Sequence, residues 1–339
     1  FYAPAQIVRC AREHGVEVRP VDVNHSFWDN TLERDAQGKL ALRLGFRQAE
    51  GIHEAEAKRL VAARRDGFAS VEALSTRARL YGRPMRALAD ADAFRSIGLD
   101  RRGALWEVRR LPEDDPLPLF ARAEAPELGA EVDANLPEMG LGEHVATDYQ
   151  TLRLSLKSHP LAVLRPHFRR EGVCSAAETA SRADGRFTRM AGLVLVRQRP
   201  GKGNAIFITL EDETGITNCV LWARQFEALR RPVMAARLML VEGRVQKSPE
   251  GVVHLMATNV IDRSAMLDHL WDAGSGLSLT KSLLAPADEG STLGMPGNAR
   301  DPRHAPPGQV IPPPLHLAPP PRHKHPRDAR ILPKSRDFH

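Results

Sequence analysis

The sequence predicts a multidomain α+β chain: a compact helical domain, then a small five-stranded β-barrel, then a tail without a folded core. Three observations carry this. Between residues 40 and 110, short helical stretches are cut by turn signals at Gly51, "RDG" (65–67), "YGRP" (81–84) and Gly98, with no convincing strand. Between residues 186 and 262 the pattern changes to β-branched runs, "FTRMAGLVLV", "NAIFITLE", "ITNCVLW", "RLMLVEGRV" and "GVVHLMATNVI", with one helix from Ala223 to about Met234 after the third. Beyond residue 272 hydrophobic periodicity fades and half of the 26 prolines accumulate. That Pro- and His-rich stretch buries too little to offset its ordering entropy and is expected to be disordered.

Composition bounds the rest. A chain of 339 residues with 42% hydrophobic content can bury more than one core. Its 48 Lys+Arg against 42 Asp+Glu leave a net charge of +6, so attraction to a polyanion has to come from local patches. Eight lysines against 40 arginines suit bidentate phosphate contact, although arginine-rich codon usage explains the same bias. Cys10, Cys174 and Cys219 are far apart and form no CxxC pair, which argues against a disulfide framework or zinc site and for a reducing, cytoplasmic setting. No apolar run is long enough to span a bilayer, so no membrane partner is expected. The chain opens on Phe1 and not on methionine, so it reads as a fragment.

In chain order, residues 1–35 read as the end of a larger element: a helix from Ala5 to His14, a stop at Gly15, then the extended "VEVRPVDVN". Residues 36–112 form the helical domain. Residues 113–180 are a connector broken by "LPEDDPLPLF" and "SHPLAVLRP", with one helix around Tyr149 to Leu156. Residues 181–272 hold three strands, a helix and two strands, the order of a five-stranded Greek-key barrel of the OB type. Residues 273–339 are the tail.

Two hairpins in the helical domain carry a binding expectation. "FRQAEGIHEAEAKRLVAAR" reads helix, tight turn, helix, with Ala57, Leu60 and Val61 as a core face and Gly51, Ile52 and His53 as the turn. Main-chain N–H groups there, at a helix start, can hold a phosphate. The pattern recurs in "FRSIGLDRRGALW", where Gly98, Leu99 and Asp100 precede Arg101 and Arg102. Tandem helix-hairpin-helix elements of this kind grip duplex DNA by its backbone without reading sequence, with Lys58, Arg101 and Arg102 adding charge. His53 stands where the motif usually has a second glycine.

In the barrel, oligonucleotides lie across the second and third strands, between the loop joining strands one and two and the loop joining strands four and five. The first of these loops carries Arg197, Arg199 and Lys202; the second, "QKSPEG", carries Gln246 and Lys247. Alternation puts Ile206, Ile208 and Leu210 on one face of the second strand and Phe207 with Thr209 on the other, so Phe207 can stack on a base. The plainer alternative makes Phe207 a core residue and the loops merely solvated.

Rival chemistry fits less well. "RQRPGKGNAIFITLEDETG" runs from glycines into a strand and lacks the P-loop spacing, and Glu211-Asp212-Glu213 lacks the spacing of a calcium loop. Asp90 and Asp92 have DxD spacing, but on a helix they would point about 200° apart and read as surface charges. Leu117, Leu119 and Phe120 in "DPLPLF" have the pattern of a sliding-clamp-binding peptide without its leading glutamine. The histidines form no metal-ligand spacing.

With these parts in this order, the chain resembles the C-terminal part of a bacterial C-family DNA polymerase of the error-prone, damage-inducible branch. "FYAPAQIVRCAREHGVEVRPVDVNHSFWDNTLE" resembles the end of the fingers region, "LRLGFRQAEGI" and "FRSIGLDRRGALWEV" the tandem hairpin domain, "LSLKSHPLAVLR" the connector, "AGLVLVRQRPGKGNAIFITLEDETG" the OB domain and "ILPKSRDFH" the branch's C-terminus. The resemblance implies low-fidelity, lesion-bypassing DNA synthesis with the sliding clamp and accessory mutagenesis proteins as partners. It also implies magnesium held by palm aspartates, and the palm precedes the fingers, so neither metal ligands nor catalytic residues are expected in this chain. The alternative is a free-standing DNA-binding or repair-scaffold protein built from the same two modules.

Overall fold

Pro4, which lacks the N–H that a helix start leaves unused, opens α1 (Pro4–Glu13), and Gly15, at φ +76°, turns the chain out of it. The structure, a computed structural model, describes residues 3–34, 37–112, 137–200 and 203–272. After α1 come β1 (Glu17–Arg19), β2 (Thr31–Arg34) and β3 (Leu40–Arg43), in the sheet order β1-β3-β2. β3 is parallel to β1 and antiparallel to β2.

This sheet corrects two expectations: residues 40–110 do contain a strand, and a boundary at residue 35 falls inside a sheet. The pattern hid β3 because its leucines face outward while Ala41 and Arg43 are buried. The Arg43 guanidinium bonds Glu33 at 2.9 Å and the Pro20 carbonyl at 2.9 Å. With Arg19 it holds the Glu33 carboxyl below the usual carboxylate range.

The helical domain follows as α2 (Glu54–Ala63), α3 (Val71–Ala78), α4 (Arg83–Asp90) and α5 (Arg101–Arg110). Ser70 caps α3 by accepting from the Ala73 N–H at 3.0 Å, and Asp100 caps α5 by accepting from Gly103 at 2.7 Å. Phe46, Leu60, Leu74, Met85, Leu88 and Phe94 fill its core, with Ala57 and Leu60 presenting the expected face of α2 and Val61 packed at its margin. The same core takes in Val8 of α1 and Leu152 and Leu154 from the connector.

The connector holds α6 (Leu141–Thr151), α7 (Pro160–Arg170) and α8 (Ala176–Ser181), where one helix around Tyr149 to Leu156 was expected. Pro160 was read as a break and is a beginning: it sits in the first turn of α7, with His159 as cap. The clamp-like Leu117, Leu119 and Phe120, and the tail expected to be disordered, lie outside the described residues.

The barrel is β4 (Phe187–Gln198), β5 (Ala205–Asp212), β6 (Gly215–Trp222), β7 (Leu238–Lys247) and β8 (Val253–Asp262), with α9 (Ala223–Ala235) after the third strand and α10 (His269–Asp272) after the fifth. It closes in the order β4-β5-β6-β8-β7, the OB arrangement that the pattern predicted. Inward-facing residues such as Met190, Ile206, Ile208, Leu221, Val241 and Leu255 form its core. A third cluster joins Val145, Leu161 and Phe168 of the connector to Leu193, Leu240 and Leu270. Part of the barrel's outer surface is therefore closed by the connector, and α6 comes so near α10 that a Cβ on Gly142 would meet the Leu270 carbonyl oxygen at 2.3 Å.

Candidate nucleic-acid interface

At the first hairpin Gly51 takes φ +92°, and a Cβ there would lie 3.2 Å from that of Ala87. The turn is a glycine position on both counts. Two of its main-chain donors are spent internally: the His53 N–H donates to the Glu56 carboxylate at 2.8 Å and that of Ile52 to the Ala49 carbonyl at 3.4 Å. Arg83 donates to the Gly51 carbonyl, and Lys58, exposed, pairs with Glu54 at 2.7 Å. At the second hairpin Gly98 takes φ +82° in open space. The Gly98 and Leu99 N–H groups donate to Arg95 and Phe94 carbonyls at 3.1 and 3.3 Å. The Ile52, His53, Gly98 and Leu99 donors of the expected cradle are thus engaged within the turns, and the first turns of α2 and α5 add N–H groups that a helix start leaves without intrahelical partners.

Arg101 and Arg102 are corrections. Arg101 is fully buried, its guanidinium bonded to the Asp148 carboxylate and, at 3.1 Å, to Nδ1 of His144. Arg102 bonds the Glu143 carboxylate at 2.9 Å and the Pro137 carbonyl. Both side chains bolt α5 to α6, with their guanidinium groups engaged by carboxylates of α6 and not free for a phosphate.

The barrel keeps one open side. On β5, Phe207 and Thr209 point outward while Ile206 and Ile208 point in, as the alternation predicted. Phe207 is 38% exposed and lies opposite Val220. One residue pair further along the same face stands Trp222, 44% exposed, opposite Ala205. Sequence reasoning missed Trp222, although period-two alternation from Cys219 and Leu221, both buried, places it outward. Asn218 faces Thr209, with their side chains bonded at 3.2 Å, and His254 lies beside Asn218 across the parallel pairing of β6 and β8. The face thus presents two flat apolar rings among amides and hydroxyls.

The loop residues divide. Arg197 is a correction: it is buried at 2% exposure, and its guanidinium donates to the Val233 and Ala236 carbonyls at the end of α9. Arg199 is half-buried and donates to the Gly203 carbonyl at 3.1 Å, while Lys202 lies outside the described residues. Gln246 and Lys247 are exposed at the end of β7, not in the loop beyond it.

The acidic residues are structural. Asp212 accepts from the Thr214 and Gly215 N–H groups at 2.7 and 3.1 Å, closing the hairpin between β5 and β6. It also pairs with Arg165 of α7 at 2.8 Å, and Glu211 with Arg9 of α1 at 2.6 Å. Asp92 was read as a surface charge and is buried, at φ +59° beyond the end of α4, bound to Arg95 and Lys157 at 2.9 and 3.1 Å. Burial pushes the neighbouring Asp90 carboxyl up to about 6. Among the described residues no group of three or more His, Cys, Asp or Glu side chains could hold a metal ion, so these residues do not fit a two-magnesium centre.

Two family models match the chain: a helix-hairpin-helix motif over residues 15–104 and an OB-fold nucleic acid binding domain over residues 188–262. Proteins named error-prone DNA polymerase match all of it: 47% identical over 340 residues in Brucella abortus, 49% over 367 in Rhodopseudomonas palustris (strain HaA2) and 42% over 415 in Bradyrhizobium. Along its whole length the chain is similar to part of these polymerases. It spans 28%, 30% and 34% of those three relatives. A crystal structure of asparaginyl-tRNA synthetase from Pyrococcus horikoshii aligns with 26% of this chain and 22% of its own, at 24% identity and a TM-score of 0.24, too low to carry an argument. Among the described residues no helix is long and apolar enough to cross a membrane.

Proposed function

We propose that this chain is the DNA-holding part of an error-prone DNA polymerase that works in the cytoplasm in damage-induced mutagenesis and translesion synthesis. The tandem hairpins hold duplex product by its backbone, and the open face of the barrel holds single-stranded template. The observation that carries this is the exposed pair Phe207 and Trp222 on the outer face of β5 and β6, since exposed rings on a strand face are what sequence-tolerant base stacking requires. Magnesium serves the nucleotide-transfer centre of such a polymerase and not this chain's own residues. The sliding clamp and accessory mutagenesis proteins are its proposed protein partners.

Titration of a labelled oligonucleotide at several salt concentrations tests the reading. Phe207→Ala and Trp222→Ala should each cost roughly 1 to 3 kcal/mol and leave the salt slope intact. Replacing Arg199, Lys202 and Lys247 together by alanine should flatten the slope of log affinity against log salt by up to about 2.1, at about 0.7 per phosphate. Unchanged affinity in the Phe207→Ala, Trp222→Ala double variant, folded by circular dichroism, would place the strand elsewhere.

A further inference from the structure

The register of the barrel strands makes one outward-facing row that runs past the β5 and β6 face. Phe207 pairs with Val220, Val220 with Met256, Met256 with Arg244, and Arg244 with Phe187. Phe207, Met256, Arg244 and Phe187 reach the outer surface, since their strand neighbours Ile206, Leu255, Val245 and Thr188 are buried, while Val220 between them is covered, at 7% exposure. The row starts and ends on exposed rings, Phe207 at 38% and Phe187 at 47%. Between them Met256 is half-buried and Arg244 exposed, with the buried Val220 beneath the row.

We propose that single-stranded nucleic acid continues round the barrel along this row, from Phe207 across β8 and β7 to a second stacking position on Phe187, with Arg244 contacting its phosphates. This rests on the barrel reading above. Phe187 packs into none of the three hydrophobic clusters, so burial does not account for an aromatic at the start of β4. The connector covers β4 and β7 further along, at Leu193 and Leu240, while Phe187 and Arg244 near the other ends of these strands stay exposed.

Charge favours a polyanion as the occupant. No carboxylate stands in this row or in the row on its Thr209, Asn218, His254 and Gln246 side; on the other side the Glu242 carboxylate is neutralised by Arg189 at 2.9 Å. Beyond the Phe187 end, Asp184 accepts from the Lys247 main-chain N–H at 2.9 Å and is flanked by the exposed Arg186. The Arg244 guanidinium is steered toward the Phe187 end by a 2.9 Å bond to the Gly185 carbonyl. Four strand spacings of about 4.8 Å put the two rings on the order of 19 Å apart along the surface. That is within the roughly 4 to 16 nucleotides one such barrel covers.

The test compares oligothymidylates of about 3 nucleotides, too short to reach both rings, and about 15 on the full chain, with circular dichroism confirming the fold of each variant. Phe187→Ala should weaken the longer oligonucleotide about tenfold and leave the shorter one unchanged. Arg244→Gln should do the same and lower the salt slope for the longer one by about 0.7. Phe207→Ala should weaken both lengths. Wild-type affinity for the longer oligonucleotide in both Phe187→Ala and Arg244→Gln, with Phe207→Ala still weakened, overturns the extension while leaving the barrel site in place. Equal weakening of both lengths by Phe187→Ala overturns it too, by putting Phe187 within the short track. No effect from any of the three variants sinks the barrel reading together with the extension, and leaves the row as a docking face for some other molecule.

Discussion

Arg101, Arg102 and Arg197 each carry a permanent charge into the interior, where a guanidinium is tolerable only when carboxylates or carbonyls meet it. Arg197 spends its charge on the two carbonyls that α9 leaves without partners at its end. Arg197→Ala should therefore lower the stability of the barrel by about 1 to 3 kcal/mol in urea unfolding, with DNA affinity of the folded protein unchanged. The sequence gives no warning of this, because the partners lie 36 and 39 residues away. A guanidinium beside a glycine-rich loop looks the same whether it meets phosphate or carbonyl. Two histidines set the acid limit. Burial lowers both His144 and His159 from an ordinary 6.5 to about 4. In each, Nδ1 is the acceptor, from Arg101 at 3.1 Å and from the Leu161 N–H at 3.1 Å, so a proton there displaces a bond. The stability they contribute is complete above about pH 6.5 and is lost as pH falls through about 4. His159→Asn, which keeps a cap for α7 and removes the titration, should make the fall in melting temperature over that range shallower; an unchanged profile would mean that His159 does not contribute.

At the scale of elements, α6 is the piece on which the modules meet. Asp148 receives Arg101 from α5 and Lys157 at 3.1 Å from the chain beyond, while Glu143 receives Arg102. Arg101→Ala leaves a buried carboxylate short of its main partner and should cost about 3 to 5 kcal/mol in urea unfolding. The double variant Arg101→Met, Asp148→Leu should recover much of that loss, and failure to recover would show that the pair does more than satisfy itself. The barrel strands were legible in the sequence nearly to the residue, since β5 alternates cleanly and the β-branched runs of β4 and β7, buried on both faces where the connector covers them, are bounded by turn residues. The hairpins were legible as turns, because Gly51 and Gly98 mark positive φ. The connector was not: a proline reads the same whether it stops a helix or starts one, and only the packing of Leu161, Leu164 and Phe168 against the barrel decides for α7. Trp222 was overlooked because a strand's last residue also caps α9, which makes it look like a boundary and not a surface.

For the whole molecule, the interlock of α1, connector and barrel fixes what the chain can and cannot do unaided. The acidic residues at this interlock are committed to arginines: Glu211 to Arg9, Asp212 and Glu213 to Arg165, Asp148 to Arg101. Two-metal phosphoryl transfer needs carboxylates that converge and are unclaimed by cations. The chain alone should therefore show no primer extension with magnesium and all four nucleotides, and extension above a buffer control, after contaminating polymerases are removed, would refute this. The same commitments have a consequence for the chain as a covalent object. Arg101 and Arg102 are joined to Asp148 and Glu143 across residues 113–136, and the core that begins at Val8 also encloses Leu152 and Leu154. Continuity of the backbone through 113–136 is thus not what holds the two halves together. A chain severed there would behave as one particle assembled from two complementary peptides, which salt alone would not part and denaturant would.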